Sequence, residues 1–322
     1  MDADRLSVVV PTRDTRELTL RCLATLGDAM AAGAEVVVVD DGSGDGTAGA
    51  VRERFPAVRL LRHEAAQGFT ASANEGLHSA HGDVLLLLNS DTEVERAALS
   101  ALVEAFAADE RLGIASPRLL DPDRTPEWSG GAAPTLSWLL LLASGLPAAL
   151  HGVPGYRRVR PLRDRRGRLD WVAGAAMAIR RRTWQEVGPF DTRFRFFAQD
   201  LDFCLRARDA GWRVGLVEDA QVVHVGGATI GRHPGSTRRG SHPGLLWTDL
   251  LLWAEKRRGP RWALAASRCL AFGGHLRLLA RAAVRPLLPS RRRGEWARDS
   301  EAFRLALDEA RRWRAARRSQ RG

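Results

Sequence analysis

From Leu6 to Ala108, short apolar runs alternate with stretches whose apolar positions recur at helical spacing. Leu6–Val10 (LSVVV) is a β-branched run stopped by Pro11, the pattern of a strand buried on both faces. Thr15–Leu26 predicts a helix and Glu35–Val39 (EVVVV) a second buried strand. A helix over Thr47–Phe55, a strand over Val58–Leu61, a helix over Ala71–Ala80, a strand over Val84–Leu88 (VLLLL) and a helix over Ala97–Ala108 follow. This alternation implies an α/β fold with a parallel, doubly wound sheet. Such sheets bind ligands outside the carboxyl ends of their strands. Those ends read Pro11–Thr12–Arg13–Asp14, Asp40–Asp41–Gly42–Ser43 and Asn89–Ser90–Asp91, so three of them offer polar or acidic groups to one crevice.

Beyond Ala108 the alternation weakens. Arg124–Ser137 is rich in Pro, Gly and Ser and reads as loop, and Arg157–Arg168 as an exposed basic segment. Trp171–Ile179 is apolar. Ala198–Ala210 predicts a helix capped by Gly211, and Val214–Val217 and Gln221–Val225 predict strands. From Leu245 onward the pattern is helical, broken at Pro260, Pro286 and Pro289. The boundaries that follow are a first domain over 1–235, with halves of about 1–118 and 119–235, and a basic helical extension over 236–322.

Composition narrows the class. Of 322 residues, 45% are hydrophobic and 27% charged, which suits a globular chain rather than a disordered one. Three cysteines without CxxC spacing give neither a disulfide framework nor a zinc site, and fit a reducing compartment. The acidic start, MDADRLSVVVPT, runs straight into a strand pattern and predicts no secretory signal. Leu136–Leu150 is the longest apolar run, but it is shorter than the roughly 20 residues of a membrane span and is interrupted by Gly145 and Pro147. The expected location is the cytoplasm, with room for peripheral contact on the inner face of the membrane. The net charge of +11 is uneven. Lys256–Gly322 holds 19 basic and 5 acidic residues, and the remainder of the chain 30 and 33. Any anionic partner is therefore met by the tail.

The motifs admit specific chemistry. In Asp40–Thr47 (DDGSGDGT), paired carboxylates in a glycine turn can hydrogen-bond a base and ribose, or simply cap the next helix. A calcium loop starting at Asp41 fails, because its twelfth position is Arg52 rather than Glu. Asp91 after a buried strand can hold a divalent cation on a diphosphate, although Asn, Ser and Asp also favour plain turns. In FFAQDLDFCLR, Asp200 and Asp202 do not share a helix face; one can serve as general base while the other caps the helix or pairs with Arg206 or Arg208. His224 ends a Val-rich strand, where an imidazole can ligate metal or merely pack. There is no GxGxxG after the first strand, no GxxxxGK[ST] and no G-x-S-x-G. This argues against dinucleotide oxidoreductases, P-loop enzymes and serine hydrolases.

Six segments occur together in order: VVVPTRD, DDGSGDGT, QGFTASANEGLHSAHGDVLLLLNSDTEV, WVAGAAMAIRR, GPFDTRFRFFAQDLDFCLRARDAGWRV and VVHVGG. On these the chain resembles the family 2 glycosyltransferases, particularly their bacterial rhamnosyltransferase-like branch. The resemblance implies a GT-A fold, a divalent cation (Mg²⁺ or Mn²⁺) and inverting transfer from a nucleotide-diphosphate sugar. The acceptor it implies is a hydroxyl of a cell-envelope glycan, a lipid-linked species or another glycoconjugate. Rhamnose on thymidine diphosphate is the branch's donor, with uridine- and guanosine-linked sugars left open. Pro11, Thr12, Asp14, Asp40, Asp41, Gly68, Asn74, Asn89 and Ser90 then fall on the donor-nucleotide side, and Asp91 and His224 at the metal. Asp200 falls at the catalytic base, and Gly174, Gln199 and Asp202 on the acceptor side. The chain departs from the family pattern at Asn89 (for Asp), Gln199 (for Glu) and Arg13–Asp14 (for Tyr-Asn).

Trp247, Leu251, Trp253, Trp262, Leu264, Leu276 and Leu279 among many arginines suit either an anionic membrane surface or a helical flap packed on the enzyme. The rival reading is a non-catalytic nucleotide-sugar-binding scaffold with a membrane- or nucleic-acid-binding tail. Joint retention of Asp41, Asp91 and Asp200 opposes a dead scaffold, and the lack of a recognisable nucleic-acid module opposes the latter partner.

Overall fold

The computed structural model describes residues 5–127, 129–146, 169–226 and 242–319. The basic segment Arg157–Arg168 and the end of the Leu136–Leu150 run lie outside the described residues. Packing divides the described chain into two units. The first comprises 5–127, 129–132, 169–195 and 199–226; the second comprises 133–146, 196–198 and 242–319.

The first unit is built on β1 (Leu6–Thr12), β2 (Glu35–Asp40), β3 (Arg59–Arg62), β4 (Val84–Leu88), β5 (Thr92–Val94), β6 (Leu112–Leu120), β7 (Gly130–Gly131), β8 (Trp171–Val172), β9 (Ala176–Arg180) and β10 (Arg213–His224). Its main sheet runs β3-β2-β1-β4-β9-β6-β10-β5, and β7 pairs β8 apart from it. Pairs β1/β2, β1/β4, β2/β3 and β6/β10 are parallel, while β9 and β5 run against their neighbours. The sheet is thus mixed and mostly parallel: the alternation predicts its parallel strands, and the antiparallel β5 and β9 depart from it.

Strand periodicity explains why both faces are apolar. Val8, Val10, Val36, Val38, Leu86 and Leu88 point into one core with α1 (Arg16–Thr25), α3 (Thr47–Arg54) and α5 (Ala98–Ala108). The intervening Val9, Val37, Val39, Leu85 and Leu87 point into a second core with α4 (Phe69–Ser79) and α8 (Gln199–Asp209). The α2 helix (Gly27–Ala31) follows α1, and α7 (Arg181–Val187) follows β9. Gly76 lets α4 lie directly on β1, because an added Cβ would fall 2.3 Å from Val9 Cγ1. That packing sets the height of the loop entering α4 above the strand ends.

Two readings change on the structure. The predicted strands Val214–Val217 and Gln221–Val225 merge into one, β10, which ends at His224 and whose register slips against β6 between Val217 and Gln221. Trp171–Ile179 is two strands, β8 and β9, separated by Ala173–Ala175. Cys22, Cys204 and Cys269 are all free.

The second unit packs α6 (Leu136–Ser144), α9 (Pro243–Arg258), α10 (Pro260–Val284) and α11 (Ser290–Ser319). Trp247, Leu251 and Trp253 are its core, not a surface belt. The large rings fill the space between helices, and Trp247 meets Phe303 at 6.3 Å between centroids. A Cβ on Gly273 would fall 2.5 Å from Leu140 O, so that glycine lets α10 close on α6. Many arginines are absorbed internally: Arg281 pairs with Asp299 at 3.1 Å, Arg317 with Glu255, and Arg277 lies over Phe303. Buried Asp249 accepts the backbone N–H groups of Phe196 and Phe197 at 3.2 and 2.9 Å. No helix among the described residues is long and apolar enough to cross a membrane.

Candidate active site

The β1 and β2 ends are stitched to each other. Asp14 Oδ1 accepts the Gly44 N–H at 2.8 Å, and Ser43 Oγ accepts the Asp14 N–H at 3.0 Å. Asp14 holds φ 51, a backbone conformation a non-glycine residue adopts only under such constraint. Pro11 and Thr12 are buried at the end of β1. Thr12 Oγ1 shares hydrogen bonds with Thr15 and Thr19, and Thr15 passes the network to Ser90 at 3.0 Å. The β1 end is thereby tied to the β4 end.

Asp40 is fully buried. Its Oδ1 accepts the Ser43 N–H at 3.2 Å. Its Oδ2 lies 3.4 Å from Arg62 Nε, an ion-pair distance without hydrogen-bond geometry. Asp41 is fully engaged. It accepts N–H groups from Gln67 at 2.7 Å and Gly68 at 2.9 Å, and Oδ1 meets His63 Nδ1 at 2.8 Å. Burial opposes its charge, but the His63 bond and the two N–H donors outweigh it and hold the carboxyl below the usual range. His63 is raised for the reciprocal reason: burial opposes its charge, and Asp41 together with a short contact to Glu75 outweighs it. Asp41 thus pins the loop carrying Gly68, whose φ of 97 suits glycine. Asn74 braces the same region, exchanging two 2.9 Å bonds with the Phe190 backbone.

At the β4 end, Asn89 N–H donates to Ala175 O at 2.8 Å. From the same Ala173–Ala175 link, Gly174 N–H donates to Asp200 Oδ2 at 2.9 Å. One three-residue link therefore anchors both the Asn89–Asp91 turn and Asp200. Asp200 Oδ1 also accepts the Leu201 N–H at 2.7 Å. Burial dominates over these donors and raises its carboxyl above the usual range. Its neighbours differ in task. Gln199 is buried with Oε1 unpartnered among the described residues. Buried Asp202 pairs with Arg206 at 2.9 Å, and Arg206 in turn holds the carbonyls of Val187 and Pro189.

His224 reaches Asp91 through strand register. β5 begins directly after Asp91 and pairs antiparallel with β10, setting His224 opposite Thr92. Nε2 lies 3.4 Å from Asp91 Oδ1, and Nδ1 lies 2.9 Å from Glu127 Oε2. Burial opposes the imidazolium, but both carboxylates outweigh it and push the imidazole up to about 10. Sequence reasoning missed Glu127, which sits in a Pro/Gly/Ser-rich loop with no local signal. It also missed His63, which a reading of the β3 end would have found.

The donor set suits a hard divalent cation. Asp91 supplies a carboxylate and His224 an imidazole, and the buried Asn89 Oδ1 has no hydrogen-bond partner among the described residues. No cluster of three or more His, Cys, Asp or Glu among the described residues would hold a metal alone.

The profile of Glycosyl transferase family 2 matches residues 7–181. The N-acetylglucosaminyl-diphospho-decaprenol L-rhamnosyltransferase of Mycobacterium tuberculosis is 29% identical over 296 residues, covering 85% of this chain and 92% of that protein. A mannosyltransferase from Pyrobaculum calidifontis, solved with GDP-Man and Mn²⁺, superposes with a TM-score of 0.57 at 20% identity, covering 94% of this chain and 87% of its own. Residues 1–349 of S. aureus TarS give a TM-score of 0.50 at 16% identity, covering 94% and 81%. These structural likenesses establish the GT-A-like fold.

Proposed function

This chain belongs to Glycosyl transferase family 2 and is a glycosyltransferase, and we propose that it is an inverting enzyme using a nucleotide-diphosphate sugar. The observation that carries this reading is the shared anchorage of Asp200 and the Asn89–Asp91 turn on Ala173–Ala175. It brings a basic carboxylate and a diphosphate-side turn to one edge of the sheet. Gly68, Asp40, Asp41 and the β1 end line the nucleotide side.

Asp91 and His224 would hold the divalent cation, and the buried, unpartnered Asn89 Oδ1 two residues before Asp91 is a further oxygen donor on the same turn. When bound, the ion supplies charge neutralisation on the diphosphate leaving group. Asp200 takes the proton of the acceptor hydroxyl as the acceptor oxygen forms its bond to the anomeric carbon. The bond from that carbon to the diphosphate oxygen breaks in the same step, and the nucleoside diphosphate leaves with the electron pair. The raised Asp200 carboxyl strengthens it as a base relative to an ordinary aspartate. Two N–H donors fix its orientation.

The mycobacterial relative's name supports an L-rhamnosyl donor and a diphospho-polyprenyl N-acetylglucosamine acceptor. The test supplies thymidine-diphosphate rhamnose and a synthetic lipid-diphosphate N-acetylglucosamine, and reads the new anomeric linkage by NMR. Inversion relative to the donor is expected. Retention would overturn the direct-displacement reading.

A further inference from the structure

The second unit exposes an apolar stripe that its own core does not explain. Each helical residue advances by about 100°, so Arg261, Arg268, Phe272, Leu276, Leu279 and Ala283 of α10 fall within roughly 80° of arc. All six are exposed. Phe272 is 60% exposed and Leu279 68%, and Leu287 just beyond the helix reaches 83%. The opposite face of α10 is the packed one, carrying Ala266, Leu270, Gly273 and Gly274.

Charge along this face is ordered. Arg261 and Arg268 lie on this face ahead of the apolar residues, both exposed and without an acidic partner among the described residues. Nearby Asp299 is already paired with Arg281. Scattered exposed apolar residues are ordinary, but a continuous apolar stripe that shares its face with two exposed arginines has a specific complement. Its apolar centre matches acyl chains, and its guanidiniums match phosphate headgroups at the same depth.

We propose that the α10 face from Arg261 to Ala283 docks on an anionic lipid bilayer surface, with Phe272, Leu276 and Leu279 entering the headgroup boundary. This binding is independent of the reaction chemistry proposed above.

The test is co-sedimentation of the full chain with phosphatidylcholine vesicles, alone and with added phosphatidylglycerol, at low and high salt. Binding is expected to the anionic vesicles and to weaken with salt. Phe272→Glu with Leu279→Glu should weaken it by about tenfold or more, and Arg261→Ala with Arg268→Ala should remove part of its salt sensitivity. Thermal midpoint and turnover on a water-soluble acceptor should stay unchanged in both variants, which separates lost docking from lost folding. Equal binding to both vesicle types, or undiminished binding by the Phe272/Leu279 variant, would overturn the proposal. So would a dimer in sedimentation equilibrium that this variant dissociates, since a second copy would then occupy the face.

Discussion

His224 Nδ1 meets Glu127 Oε2 at 2.9 Å, fixing the ring so that Nε2 faces Asp91. A histidine that ligates through one nitrogen is commonly oriented by a carboxylate on the other. Glu127→Gln should therefore weaken Mn²⁺ affinity by about 10–100-fold, measured by calorimetry. The thermal midpoint without metal should move little. Unchanged affinity would make Glu127 a bystander.

Asp200 is held by the Gly174 N–H at Oδ2 and the Leu201 N–H at Oδ1, and an asparagine keeps an acceptor for only one of them. Asp200→Asn should then keep the side chain's size, give up one of these two bonds and lose the base. Steady-state kinetics should show kcat reduced by about 10²–10⁴-fold with donor KM nearly unchanged. In the parent enzyme the acidic limb of kcat/KM should lie above the ordinary aspartate value of 3.8, since burial raises this carboxyl. A near-normal rate in the variant removes Asp200 from the chemistry.

The Asp41–His63 pair gives a stability signature. His63 is raised, so its contribution is full below its ordinary 6.5 and is lost as pH climbs through the raised value. Asp41 is lowered, so its contribution is present above 3.8 and is lost as pH falls through the lowered value. His63→Gln should accordingly destabilise the fold more at mildly acidic pH than in alkali, read from urea midpoints. A cost independent of pH would show that the ion pair contributes nothing beyond packing.

The parts of the fold and site legible in the sequence were those carried by local pattern. The VVV and LLLL runs of β1, β2 and β4 bury both faces, and Asp40, Asp41 and Asp91 stand at or just past their ends in the sequence. β6 escaped because Ser116, Pro117 and Arg118 interrupt its apolar run, and β5 because three residues carry no period. The strand β10 read as two because Glu218 and Asp219 mark its irregularity. Partners that meet only through tertiary packing, such as Glu127 with His224, have no trace in spacing at all. The tail aromatics misled for a related reason. Trp247 and Trp253 look like an interfacial belt until helix packing buries them, and the exposed face proves to be that of Phe272 and Leu279.

Gly42 combines φ 71 with a virtual Cβ only 3.1 Å from Ala66 N, so backbone strain and crowding coincide there. Gly42→Ala should cost about 1–2 kcal/mol from the left-handed conformation alone. It should also weaken nucleotide binding, because the crowded atoms lie just before Gln67 and Gly68. Denaturant melts and nucleotide titration check both. Wild-type behaviour in each would show that this turn can relax freely.

The central claim is that Asp91 anchors a cation-bridged nucleoside diphosphate. Thermal stabilisation by a panel of nucleoside diphosphates, with and without Mn²⁺ or Mg²⁺, tests it most directly, because a ligand bound only to the native state raises the midpoint. The account predicts a rise with one nucleotide that grows with metal, and loss of the metal-dependent part in Asp91→Ala. A rise of equal size with and without metal, or one that Asp91→Ala leaves intact, would contradict it.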